Sequence, residues 1–200
     1  VCIADLDIVN PYFRTKDSAK VLEAAGVHLI SPQFANTNVD LPALPAEAYR
    51  LVTDRSTYGI MDIGGDDRGA YALGRYVPAI KEEGNYRMVF VANASRPLTR
   101  TPEEALEVMR EIEAACGLAF TDIINNTNLA SETTPETVLN SQDYMEKLSC
   151  LSGLPIFATS AETAVASQLE GKIPNVLPLQ LQEKYFDLPS QKPGNRPLWG

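Results

Sequence analysis

Residues 1–14 read VCIADLDIVNPYFR, and the parsing of this stretch decides the fold. Residues 1–4 are an apolar run that leads into two carboxylates, Asp5 and Asp7, before a turn at Asn10-Pro11. Short apolar runs closed by polar or turn residues mark strands buried on both faces, as in parallel sheets. In a strand, residues i and i+2 share a face, so Asp5 and Asp7 project toward one place at the carboxyl end. There one acid can orient a metal-bound water while the other polarises an attacking water. The plainer alternative is an Asp that caps the following turn.

The same pattern recurs along the chain. Apolar runs close on Gly, Asn, Ser or Asp at 26–31 (GVHLIS), 58–65 (YGIMDIGG), 86–93 (YRMVFVAN), 120–126 (FTDIINN) and 154–160 (LPIFATS). Helical patterns fall between them, at 17–25, 46–53, 70–82, 102–115, 135–148 and 161–169. Two helix starts are punctuated clearly. Thr101-Pro102-Glu103-Glu104 combines a capping hydroxyl, a first-turn proline and acids at the positive end of the helix dipole, and Thr134-Pro135-Glu136 repeats the device. Strand–helix alternation predicts an α/β fold: one doubly wound, mostly parallel sheet with helices on both faces, binding ligands beyond the strands' carboxyl ends. Residues 1–186 form the predicted domain. The Pro- and Gly-rich tail, 187–200, is expected to fray or lie over the surface.

Composition narrows the function. No apolar run approaches a membrane span and no signal peptide is visible, so no membrane partner is expected. Cys2, Cys116 and Cys150 are odd in number and show no paired metal spacing, which fits a reducing cytoplasm. The net charge of −9 argues against a broad nucleic-acid surface, since phosphate binding needs clustered Lys and Arg. It leaves room for a nucleotide site, where backbone N–H groups and Mg²⁺ do the neutralising. His28 is the only histidine, so a histidine metal site and a Ser-His-Asp triad are not expected.

Two further carboxyl-end motifs join the DLD segment. In YGIMDIGGDDRG (58–69), an apolar strand ends on Asp62 and is followed by Gly64-Gly65. That is the Walker B arrangement, a carboxylate for Mg²⁺ and glycines that let backbone approach a terminal phosphate. Asp66 and Asp67 hold the loop or start the next helix; the alternative for the whole motif is a Gly-Gly turn with solvated acids. In TDIINNTNL (121–129), Asn125 and Asn126 sit where a strand ends. A side-chain amide both donates and accepts, which suits a nucleobase edge, and Asn equally suits a turn.

Taken together, DLDIVNPYFR, YGIMDIGGDD and IINNTNL resemble the ParA/MinD/CobQ-type ATPases, a branch of the P-loop NTPases, and most closely the MinD-like ATPases with a DLDxVNPYFR segment. The resemblance runs from Val1 to about Leu181 and takes in ANASRPLTRTPEEA and LPIFATSAE. It implies ATP and Mg²⁺ binding, slow hydrolysis and an ATP-linked homodimer acting as a molecular switch. By the same resemblance, Asp7 positions the attacking water, Asp5 lies near the Mg²⁺ site, Asp62 is the Walker B ligand, and Gly64-Gly65 belong to switch II. Asn125 matches the base-reading asparagine; Asn126 stands where the family often has Lys or Arg.

One departure is large. The G-x-x-x-x-G-K-[ST] phosphate loop occurs nowhere in these residues. In the family it precedes the DLD strand, so the chain resembles the family without its first strand, loop and helix, about 30 residues. The expectations are that these 200 residues alone hold ATP negligibly and that the sheet opens beside 58–63. The alternative function is a nonhydrolytic α/β scaffold or interaction protein that lacks the phosphate loop. Partition or division-site positioning is weaker, because it needs a basic patch or a basic amphipathic terminal helix.

Overall fold

The computed structural model describes residues 1–7, 15–31 and 46–182. The turn at Asn10-Pro11, the 186/187 boundary and the tail lie outside the described residues. Every strand pairing is parallel, and helices interleave with strands. The elements are β1 (Cys2–Asp5), α1 (Ala19–Ala24), β2 (His28–Ile30), α2 (Arg50–Thr53), β3 (Gly59–Asp62), α3 (Asp67–Gly74), α4 (Val77–Glu83) and β4 (Val89–Ala92). They continue with α5 (Pro102–Cys116), β5 (Asp122–Asn125), α6 (Pro135–Leu139), α7 (Gln142–Ser152), β6 (Ile156–Glu162), α8 (Thr163–Leu169) and β7 (Val176–Leu179).

Local chemistry sets the boundaries. α5 starts on a full capping box, in which Thr101 and Glu104 satisfy each other's backbone N–H, and ends on left-handed Gly117. The helix expected over 70–82 is two, because Pro78 brings no N–H and begins a new first turn in α4. The helix expected over 135–148 also breaks, where the Ser141 hydroxyl donates to Val138 O at 2.7 Å in competition with the backbone ladder. β7 was not among the expected strands and carries Pro178. It is tolerated at the end of the sheet, where a missing N–H loses no ladder bond.

The strands do not form one sheet. They form a three-stranded sheet, β2-β1-β3, and a four-stranded sheet, β4-β5-β6-β7. The break falls beside β3, at the edge where the sheet was expected to open. Helices nevertheless span it. α3 packs on α5, and Met61, Ile63 and Ile80 touch both of the adjoining core clusters.

One face of both sheets is thereby covered. Cys2, Ala4, Phe90, Ala92 and Ile123 point into it and are buried under side chains of α2 to α5 and α7. The opposite face carries the alternate residues, including Ile3, Asp5, Ile60, Asp62 and Val91. This division follows from chain direction. The connection β1 to β2 runs one way across the sheet, and those from β2 to β3 and from β3 onward through β6 run the other. Right-handed crossovers, the rule in parallel sheets, lay helices of opposite crossing direction on opposite faces.

Candidate functional site

The three carboxylates singled out in the sequence gather at the carboxyl ends of β1 and β3. Asp5 and Asp62 are register partners on neighbouring parallel strands, so their side chains stand on the same face of strands that lie about 4.8 Å apart. Asp5 is fully buried. Like charges so placed repel, and a divalent cation between them relieves the repulsion. The segment after the undescribed stretch 8–14 returns to them: the Thr15 hydroxyl donates to Asp62 Oδ2, and the Lys16 N–H donates to Asp5 Oδ2 at 3.3 Å. Thr15 was not anticipated, because no strand or helix period marks it.

Asp7, two residues beyond Asp5, lies against the glycine loop. A Cβ placed on Gly64 would be 2.9 Å from Asp7 Oδ1 and 3.3 Å from its Cγ. Only a bare backbone lets the carboxylate settle there. The loop is held by its far end. Asp66 caps α3 by accepting from the Gly69 N–H at 2.9 Å, as one reading of the GGDD stretch foresaw. Gly69 itself went unnoticed in the sequence, although it closes the YGIMDIGGDDRG motif. A Cβ at Gly69 would meet Gly64 O at 2.3 Å and Gly64 C and Cα at 2.8 Å, so the first turn of α3 packs directly on the loop backbone. A Cβ at Gly65, by contrast, would meet nothing within 4 Å.

The asparagine pair divides. Asn125 is fully buried: its Nδ2 donates to Ser141 Oγ at 2.8 Å and its Oδ1 accepts from the Thr127 N–H at 3.1 Å. It ties the end of β5 to its own loop and to the start of α7 and presents nothing outward. Asn126 is half-buried, and its Oδ1 accepts from Ser160 Oγ at 2.8 Å.

Two cavities lie elsewhere. One, of about 310 Å³, is bounded by Val1, His28, Glu47 and Arg50 at the amino ends of the strands. The other, of about 250 Å³, lies between α5 and α7 near Arg110 and Phe120. In the first, His28 Nε2 lies 3.1 Å from Glu47 Oε1, and the Cys2 thiol beside them is pushed up by burial and the Glu47 charge. Among the described residues, no group of three or more His, Cys, Asp or Glu side chains is placed to hold a metal. A metal at Asp5 and Asp62 would therefore take two protein carboxylates at most. That count suits Mg²⁺, which keeps waters and substrate phosphates as its other ligands.

The fold and site define an α/β protein with parallel sheets and a carboxylate pair at neighbouring strand ends. No protein-family model, curated protein or solved structure matches the chain. Among the described residues, no helix is long and apolar enough to cross a membrane.

Proposed function

We propose that this chain is the body of a Mg²⁺-dependent ATPase of the ParA/MinD type, a nucleotide-operated switch that works as an ATP-linked homodimer in the cytoplasm. The observation that carries the reading is the convergence of Asp5, Asp62 and Asp7 on one face, with Gly64 bare beside them. In this reading Asp5 and Asp62 hold Mg²⁺ and the Thr15 hydroxyl orients Asp62. The metal neutralises phosphate charge. Asp7 aligns the attacking water, and the backbone of Gly64-Gly65 approaches the terminal phosphate. Asn126 takes the base contact first expected of Asn125, since it is partly exposed while Asn125 is fully buried.

The phosphate cradle is not among these 200 residues, so in this reading it is supplied from outside them. The inward-turned Asn125 favours the second reading, a nonhydrolytic α/β scaffold. One experiment separates the two. In the protein carrying a phosphate loop ahead of Val1, Asp7→Ala should abolish steady-state ATP turnover while a nucleotide titration shows binding retained, the mark of a group used in the chemical step. Turnover unchanged by Asp7→Ala would reduce Asp7 to a turn cap. No Mg-ATP binding by that protein would leave the scaffold.

A further inference from the structure

Cys2, His28 and Glu47 are far apart in the sequence, and the fold brings them to one cavity. Cys2 and His28 are register partners on the parallel strands β1 and β2, so their side chains leave the same face of backbones about 4.8 Å apart. A 3₁₀ turn ahead of α2, Ala46–Tyr49, carries Glu47 to the same place. Together they line the cavity of about 310 Å³ at the amino ends of the strands, the end opposite the carboxylate pair. The other charged side chains of its lining have partners. Arg50 Nη1 lies 3.7 Å from Glu47 Oε1, and Asp54 accepts from the Ser56 and Thr57 hydroxyls at 2.6 and 3.2 Å.

The sulfur and the imidazole both have bonding capacity left. Cys2 is 7% exposed, forms no disulfide and has no hydrogen-bond partner among the described residues, whereas the other buried thiol, Cys116, donates to Leu118 O at 3.6 Å. Burial and the Glu47 charge raise the Cys2 thiol, so it is protonated at neutral pH and is a poor nucleophile. A soft cation reverses this, because it displaces the proton and the sulfur binds as thiolate. His28 Nε2 lies 3.1 Å from Glu47 Oε1. A carboxylate only accepts, so Nε2 carries the hydrogen, and the neutral ring keeps its Nδ1 lone pair for a ligand. A carboxylate behind the ring is also what fixes the tautomer and orientation of metal-binding histidines. The His28 side chain is 60% exposed, which gives an incoming ion access.

The donor set limits which ion fits. Metal–sulfur and metal–imidazole bonds of about 2.3 and 2.0 Å let one ion bridge side chains on adjacent strands. A thiolate with an imidazole selects Cu⁺ or Zn²⁺ over Mg²⁺ or Ca²⁺, which prefer oxygen. Zn²⁺ takes three or four protein ligands, and among the described residues no group of three or more His, Cys, Asp or Glu is placed to hold a metal. Cu⁺ is satisfied by two. The apolar side chains of Ile30 and Leu51 in the lining suit the uncharged thiolate–Cu⁺ unit.

We propose that Cys2 and His28 bind one Cu⁺ ion, with Glu47 holding the imidazole from behind. Binding involves no redox change: the Cys2 S–H bond breaks, the proton leaves to solvent, and an S–Cu bond forms. The copper site is independent of the nucleotide reading and is tested without nucleotide. Cys150→Ser protein is used throughout, since Cys150 is an exposed thiol that would take the ion on its own. Cu⁺ is titrated in the absence of oxygen against a chromophoric chelator, and the ring signals of His28, the only histidine, are followed by NMR. One equivalent should bind with release of a proton and a shift of the His28 ring signals. Cys2→Ser and His28→Gln should each weaken binding by more than about 100-fold, and Glu47→Gln by about 10-fold, as for a lost outer partner. His28→Gln changes an exposed side chain, so it decides the matter if Cys2→Ser does not fold. Binding unaffected by His28→Gln, unmoved ring signals, or Zn²⁺ held more tightly than Cu⁺ overturns the proposal.

Discussion

Replacing Gly69 by alanine tests the packing that holds the carboxylate site together. In an ordinary helix this change stabilises by about 1 kcal/mol, because alanine restricts the unfolded chain and favours the helix. Here the new Cβ falls 2.3 Å from Gly64 O and 2.8 Å from Gly64 C and Cα. The first distance is roughly 1 Å short of a tolerable contact. All three contacting atoms are backbone, so no rotamer change relieves the clash, and either the first turn of α3 or the Gly64 loop must move. Overpacking of this kind costs up to about 3 kcal/mol. Set against the helix gain, the net loss is about 2 kcal/mol. With a denaturant slope of about 2 kcal/mol per molar, the urea midpoint should fall by about 1 M. Gly65→Ala is the internal control, since a Cβ there meets nothing within 4 Å. It should shift stability by less than about 0.5 kcal/mol. Circular dichroism followed through a urea titration reads both variants. A Gly69→Ala protein as stable as the parent, or more so, would refute the close approach of α3 to the glycine loop. It would also remove the reason Gly64 stays pressed against Asp7.

Asn125→Ala should lower unfolding stability by about 2 kcal/mol, because it leaves the buried Thr127 N–H without its acceptor. Asn126→Ala, which removes one bond to Ser160, should cost less; equal losses in chemical denaturation would contradict the burial of Asn125. Burial and the nearby Glu104 charge raise the Tyr144 phenol to about 12, and its O–H donates to Thr99 O at 2.9 Å. The raised folded value means that its stabilising contribution is complete below the ordinary tyrosine value of 10.0 and is lost as pH rises through about 12. Burial raises Tyr76 as well, so ultraviolet titration should show late-ionising tyrosine absorbance that falls by one residue's share in Tyr144→Phe; a titration identical in both proteins would count against it. At the other end of the scale, the Lys147 hydrogen bond holds the Glu103 carboxyl below its usual value. Lys147→Met should raise the Glu103 value in an NMR titration, and an unmoved value would show the ion pair to be absent in solution.

Much of this protein is determined by its sequence alone. Apolar runs of strand length, each closed by a polar residue and followed by a helical period, specify β1 to β6 because buried parallel strands tolerate little else. Asp5 and Asp7 are legible as acids at the carboxyl end of a strand, and Thr101 with Glu104 is a helix start that closes on itself within four residues. These are short-range facts, and short-range geometry is legible in a chain. Contacts across the chain are not. Asp5 and Asp62 are 57 positions apart in sequence, and only the β1–β3 register makes them neighbours. Asn125 and Asn126 look alike in the sequence, yet strand alternation turns the first inward to Ser141 and leaves the second half-exposed. Gly69 reads as one more turn residue until α3 is laid against Gly64. The break beside β3 is likewise a property of the assembled sheets, since a strand's own residues do not say which of its two edges finds a partner.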